Sequence, residues 1–152
     1  MNPTGIKEST RLPGPVGDTM RPGIVLMLAL LSSPLALLAA EHTKDSFETI
    51  QKATADKTAV LVDVREESEW KEGHVAGATF LPLSVLKEAS AEAVAKKLPK
   101  DKIVYTYCRA GRRSLAAGEL LEKLGYDVRP LKPGFEELIQ SGFEKEIGEA
   151  KK

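Results

Sequence analysis

Lys102-Ile103-Val104-Tyr105-Thr106-Tyr107 runs directly into Cys108-Arg109-Ala110-Gly111-Arg112-Arg113-Ser114, and that loop into Leu115-Ala116-Ala117-Gly118-Glu119-Leu120-Leu121-Glu122-Lys123-Leu124. After Lys102 the first stretch is wholly β-branched or aromatic, the composition of a strand. In the last stretch Ala117, Leu120, Leu121 and Leu124 fall at i, i+3, i+4 and i+7 and so share one apolar helix face, which Gly125 ends. Strand, tight loop and helix in that order are the building unit of a parallel α/β sheet.

The loop holds the only cysteine of the chain. A sulfur at its mouth faces the first N–H groups of the following helix, which lack intrahelical acceptors and carry the positive end of the helix dipole. Such a position favours a thiolate over a thiol. Gly111 permits torsions that let loop amides converge on one point as an anion nest. Arg109, Arg112 and Arg113 add three multi-donor cations, a composition unsuited to a core and suited to an oxygen-rich anion.

Bulk properties narrow the alternatives. The 152 residues suffice for one domain with a real core. Lys plus Arg and Asp plus Glu number 22 each, so no net charge points to nucleic acid or an acidic membrane. One cysteine excludes an internal disulfide and a C-x-x-C pair. Two histidines at unrelated places, His42 and His74, give no metal site.

Outward from the loop, residues 1–40 are expected to be an N-terminal extension and signal peptide. A Pro- and Gly-rich start with Lys7, Arg11 and Arg21 precedes an apolar run from Ile24 to Ala40, broken at Ser32-Ser33-Pro34 and ended by Glu41. Met20-Arg21-Pro22 offers an alternative start with an ordinary signal-peptide length. The mature domain then occupies 41–152, periplasmic or secreted, with no stable membrane association once the signal is cut. His42, beside the cut, is given no role. Asp45–Ala55 reads as a helix with Asp45 and Glu48 at capping-box spacing. Ala59–Val62 reads as a doubly buried strand, Asp63–Gly73 as a strand end and short helix, Ala78–Leu81 as a short strand, and Ser84–Leu98 as helical. Tyr126–Leu131 is the last strand, near its end at Pro130, which lacks a ladder donor. Phe135–Gln140 begins a final helix. Alternating elements make a mostly parallel sheet with helices on both faces, whose sites lie at the strands' carboxyl ends, where Cys108 falls.

Three separated motifs then carry a resemblance over about Asp45 to Gly142. Asp63-Val64-Arg65 with Glu69-Trp70, Gly73-His74-Val75-Ala76-Gly77-Ala78 with Leu81-Pro82, and Cys108-Arg109-Ala110-Gly111-Arg112-Arg113-Ser114 resemble the signatures of the rhodanese family of sulfurtransferases. Within the family the chain is similar to the single-domain, exported phage-shock-protein E type. The resemblance implies one α/β domain with a five-stranded, mainly parallel sheet. It implies thiosulfate sulfurtransferase activity without metal or organic cofactor: Cys108 takes a sulfane sulfur from thiosulfate as a persulfide and delivers it to cyanide, a thiol or a thiol protein. It makes the amides from Arg109 to Ser114 the persulfide cradle and Arg109 and Arg113 the sulfonate contacts, with Arg112 a solvated neighbour. Asp63, Arg65 and His74 read as structural supports, the first two as a charge pair and His74 as the pin of a turn rather than a base.

Two other readings stay open on sequence. Cysteine-dependent phosphatases and arsenate reductases also wrap an oxyanion between strand and helix, but with C-x5-R, whereas arginine here comes one place earlier, at Arg113. A rhodanese fold can also serve as a non-catalytic sulfur carrier or docking module.

Overall fold

The computed structural model describes Gly14 and residues 40–148. The expected extension and signal peptide lie outside the described residues except for Gly14 and Ala40. Residues 40–148 belong to one compact unit, and the site lies within it. The element order is α1 (Phe47–Ala55), β1 (Ala59–Asp63), α2 (Glu67–Glu72), β2 (His74–Val75), β3 (Thr79–Phe80), α3 (Leu83–Glu88), α4 (Ala91–Ala95), β4 (Ile103–Tyr107), α5 (Arg112–Lys123), β5 (Val128–Pro130), α6 (Phe135–Gln140) and β6 (Lys145–Glu146).

The main sheet is wholly parallel in the order β3-β1-β4-β5. β1 and β4 pair along their whole length, from Ala59 opposite Ile103 to Asp63 opposite Tyr107. From β1 the chain moves outward to β3, and from β4 it moves the other way to β5. The crevice between the carboxyl ends of β1 and β4 is therefore the switch point where ligands of open α/β sheets bind. Asp63 and Cys108 stand at its two sides.

Side chains alternate across the sheet and build two cores. Val62, Val64, Val104 and Cys108 face Leu83, Leu86, Val94, Ala117 and Leu121 of α3, α4 and α5. Leu61, Tyr105 and Tyr107 face Ile50, Phe135 and Leu138 of α1 and α6. Helices thus cover both faces, the α/β class expected from sequence.

Among the described residues the sheet has four strands rather than five. The segment after α2 does not continue it: His74 and Val75 pair antiparallel with Glu146 and Lys145 in a separate two-stranded sheet. His74 is pinned by stacking on Trp70 (3.5 Å between centroids, 6° between planes) and by Nδ1, 3.1 Å from Trp70 O. Val75 N–H donates to the Tyr107 hydroxyl (3.0 Å), and Ala76 N–H donates to Glu144 O (2.9 Å). With its polar groups so engaged, the segment pairs away from the main sheet instead of extending it.

Two local expectations are also corrected. Ser46, not Asp45, caps α1, accepting from Thr49 N–H (3.2 Å). Asp45 instead accepts from Tyr105 Oη (2.7 Å) and Arg129 (2.8 Å), which hold its carboxyl below the usual range. Ser84–Leu98 is two short helices, because Ala89 turns extended and Ser90 caps α4 through Ala93 N–H (3.2 Å).

Candidate active site

β4 ends at Tyr107, and the chain turns through Cys108–Gly111 into α5 within four residues. Gly111 takes φ +83°, the left-handed conformation that such a sharp turn demands. A Cβ there would also stand 2.8 Å from His42 Nε2 and 3.1 Å from Lys132 O. The turn aims Gly111 N–H at Cys108 Sγ, 3.1 Å away.

The loop is fastened from behind and below. Ser114 Oγ lies 2.6 Å from Gly111 O and 2.7 Å from Leu131 O, so one hydroxyl proton is shared between two carbonyls. Thr106 Oγ1 donates to Ser114 O (3.1 Å). Phe135 N–H donates to Cys108 O (2.9 Å). Gly134 presses so closely on the loop that a Cβ would overlap Arg109 O, which explains a glycine there although its φ of −90° suits any residue.

Cys108 is itself 1% exposed and forms the floor of an open cleft of about 560 Å³. Leu83 and Lys87 of α3 line it together with Arg109, Ala110, Arg112, Arg113 and Ala116. The structure thus brings the loop residues expected from sequence to one cleft and adds Lys87, a fourth cation, from 21 residues upstream. No local pattern announces Lys87, since only the β3-α3 turn over the sheet delivers it. Arg109, Arg112 and Lys87 are exposed and make no ion pair among the described residues.

Arg113 differs. Its Nη1 and Nη2 donate to Glu69 Oε2 (2.5 Å) and Oε1 (2.8 Å), a bidentate pair only about a quarter to a third exposed. These bonds hold the Glu69 carboxyl below its ordinary value and raise the guanidinium. Glu69 also reaches back to Glu66 N–H (3.2 Å) at the start of α2. Arg113 therefore ties the active loop to α2.

Asp63, at the carboxyl end of β1, and Arg65 form a buried pair, 0% and 4% exposed. Arg65 donates through Nε (3.0 Å) and Nη2 (2.6 Å) to Asp63, and through Nη2 to Gly73 O (2.7 Å), with its guanidinium 4.2 Å from the Phe135 ring centroid. Burial works against the charge on Arg65, but the bonds and charge of Asp63 outweigh it and raise the guanidinium. Tyr107 is pushed far above its ordinary value, first by burial and then by the Asp63 charge, and stays a neutral acceptor for Val75 N–H. His74 is buried on Trp70, on the α2 side of this pair. Among the described residues no group of three or more His, Cys, Asp or Glu side chains is placed to hold a metal.

This fold and loop can be set against known proteins. Residues 46–141 match the Rhodanese-like domain family. The chain belongs to the rhodanese family. This rhodanese domain is similar to the thiosulfate sulfurtransferase PspE of Escherichia coli, 36% identical over 102 residues, covering 67% of this chain and 77% of that protein. YqhL of Bacillus subtilis is 41% identical over 80 residues, 52% of this chain, and the rhodanese domain described here spans 60% of that relative's length. Among solved structures, a rhodanese-related protein of Thermoplasma volcanium superposes with a TM-score of 0.56 at 28% identity, over 67% of this chain and 95% of its own. Human single-domain sulfurtransferase TSTD1 gives 0.53 at 27% identity, over 60% and 89%. The rhodanese domain spans about 60% of the length of the first curated relatives it matches.

Proposed function

We propose that the protein is a thiosulfate sulfurtransferase that passes sulfane sulfur through a Cys108 persulfide. The observation that carries this reading is a thiol at the floor of a cationic cleft, with Gly111 N–H already directed at its sulfur. The Cys108 thiolate attacks the outer sulfur of thiosulfate, the S–S bond of the donor breaks, and sulfite leaves with the bonding electron pair. The product is a cysteine persulfide whose terminal sulfur meets the loop amides. Cyanide or a thiolate then attacks that sulfur, and the cysteine thiolate leaves, which closes the cycle.

Arg109, Arg112 and Lys87 are the cations free to hold the sulfonate oxygens, while Arg113 serves the loop through Glu69. Lys87→Ala and Arg109→Ala are each expected to raise KM for thiosulfate about tenfold or more, the weight of one charge-assisted contact, with Tm unchanged. Arg113→Ala is expected to lower Tm as well, because it releases α2 from the loop. Steady-state kinetics beside thermal melts check this, and a KM for Lys87→Ala equal to wild type removes Lys87 from the donor site.

The function itself is tested by thiocyanate formation from thiosulfate and cyanide. Many thiocyanates per protein establish an enzyme, whereas one per protein establishes a carrier, in line with a similarity to YrkF of Bacillus subtilis, named for sulfur carriage (32% identical over 95 residues). The apolar run at Ile24–Ala40 supports export, and N-terminal sequencing of protein recovered from the periplasm tests it.

A further inference from the structure

The segment before α1 lies against the back of the active loop. Thr43 N–H donates to Pro130 O (2.8 Å), and Asp45 is held by Tyr105 and Arg129. Beside these anchors the half-buried His42 sets Nε2 3.2 Å from Gly111 O. A carbonyl oxygen only accepts, so Nε2 carries the proton, in the neutral ring as in the imidazolium. Gly111 is the residue whose N–H reaches Cys108 Sγ. Its carbonyl has one other side-chain donor, Ser114, whose single proton is shared with Leu131 O. Gly111 O also accepts from Leu115 N–H (3.1 Å) in the first turn of α5, so His42 is the one donor to this carbonyl that comes from outside the loop and its helix.

We infer that His42 is a positioning residue for the chemistry at Cys108. Holding the Gly111 carbonyl behind the loop sets the torsions of a residue at φ +83° and ψ −30°, and so the direction of the amide on the other side of its Cα. Without that hold the loop is freer to relax, and the N–H turns from the sulfur. His42 is not among the residues lining the cleft, so it acts on the sulfur and not on the donor's oxygens. For the sulfur transfer the inference rests on the function proposed above; for the reactivity of the thiol it does not.

Because Cys108 is the only cysteine, its alkylation by iodoacetamide at pH 7 reports the sulfur whatever the physiological reaction is. His42→Ala in the full chain is expected to slow alkylation about fivefold, the weight of one hydrogen bond. The rate of persulfide formation should fall by a similar factor, with KM for thiosulfate within about twofold of wild type. His42→Gln, whose amide nitrogen reaches the same carbonyl, is expected to restore both rates. An alkylation rate in His42→Ala equal to wild type overturns the inference. So does a loss that His42→Gln leaves unrepaired while Tm falls, since that is the signature of lost packing. Should wild-type protein take no sulfur from thiosulfate, the proposed function fails while the alkylation ratio still decides the role of His42.

Discussion

Asp63→Ala is expected to destabilise the protein by about 3–5 kcal/mol, the cost of leaving a buried charge without its partner. Asp63 accepts from Arg65 N–H (2.9 Å), Nε (3.0 Å) and Nη2 (2.6 Å), and the pair is fully withdrawn from water. Without it the guanidinium keeps Gly73 O and the face of Phe135, neither of which neutralises it. A domain with a total stability of about 5–15 kcal/mol loses about a fifth or more of it. Urea denaturation of wild type and variant measures the difference, and a loss below about 1 kcal/mol would show that water reaches Arg65.

Cys108→Ser is expected to abolish sulfur transfer with the fold retained. A serine Oγ fits the space and accepts from Gly111 N–H, so the melting curve should move by little, on the order of 1 kcal/mol or less. An alkoxyl cannot store sulfane sulfur as the thiolate does, and no second thiol exists to replace it. Thiocyanate formation at background level with an unchanged circular-dichroism spectrum is the expected result. Residual turnover at the wild-type rate would remove Cys108 from the reaction.

The parts of the molecule legible in its sequence are those with local signatures. The β-branched run before Cys108 is β4, and the spacing of Ala117 and Leu121 buries both against the sheet. Gly111 takes the left-handed turn that its place in the loop implied. Four strand segments were marked by composition, and four make the parallel sheet; the fifth rested on the family resemblance alone.

What escaped is non-local. Glu69 meets Arg113 across 44 residues, His42 meets Gly111 across 69, and Gly134 touches the loop only because α6 is led back beneath it. None of these contacts leaves a period or a motif in the chain. Lys87 sits in a helix whose exposed face reads like any solvated surface, and only the path from β3 turns it over the sulfur. Ser90 broke a stretch that looked continuous in composition, because a capping hydroxyl competes with helix continuation.

The most direct test of the account is the intact mass of the purified protein before and after thiosulfate, and again after cyanide. The account predicts one added sulfur, about 32 Da, that appears with thiosulfate and departs as thiocyanate. A mass unchanged by thiosulfate, with Cys108 still open to alkylation, would contradict a persulfide at this site.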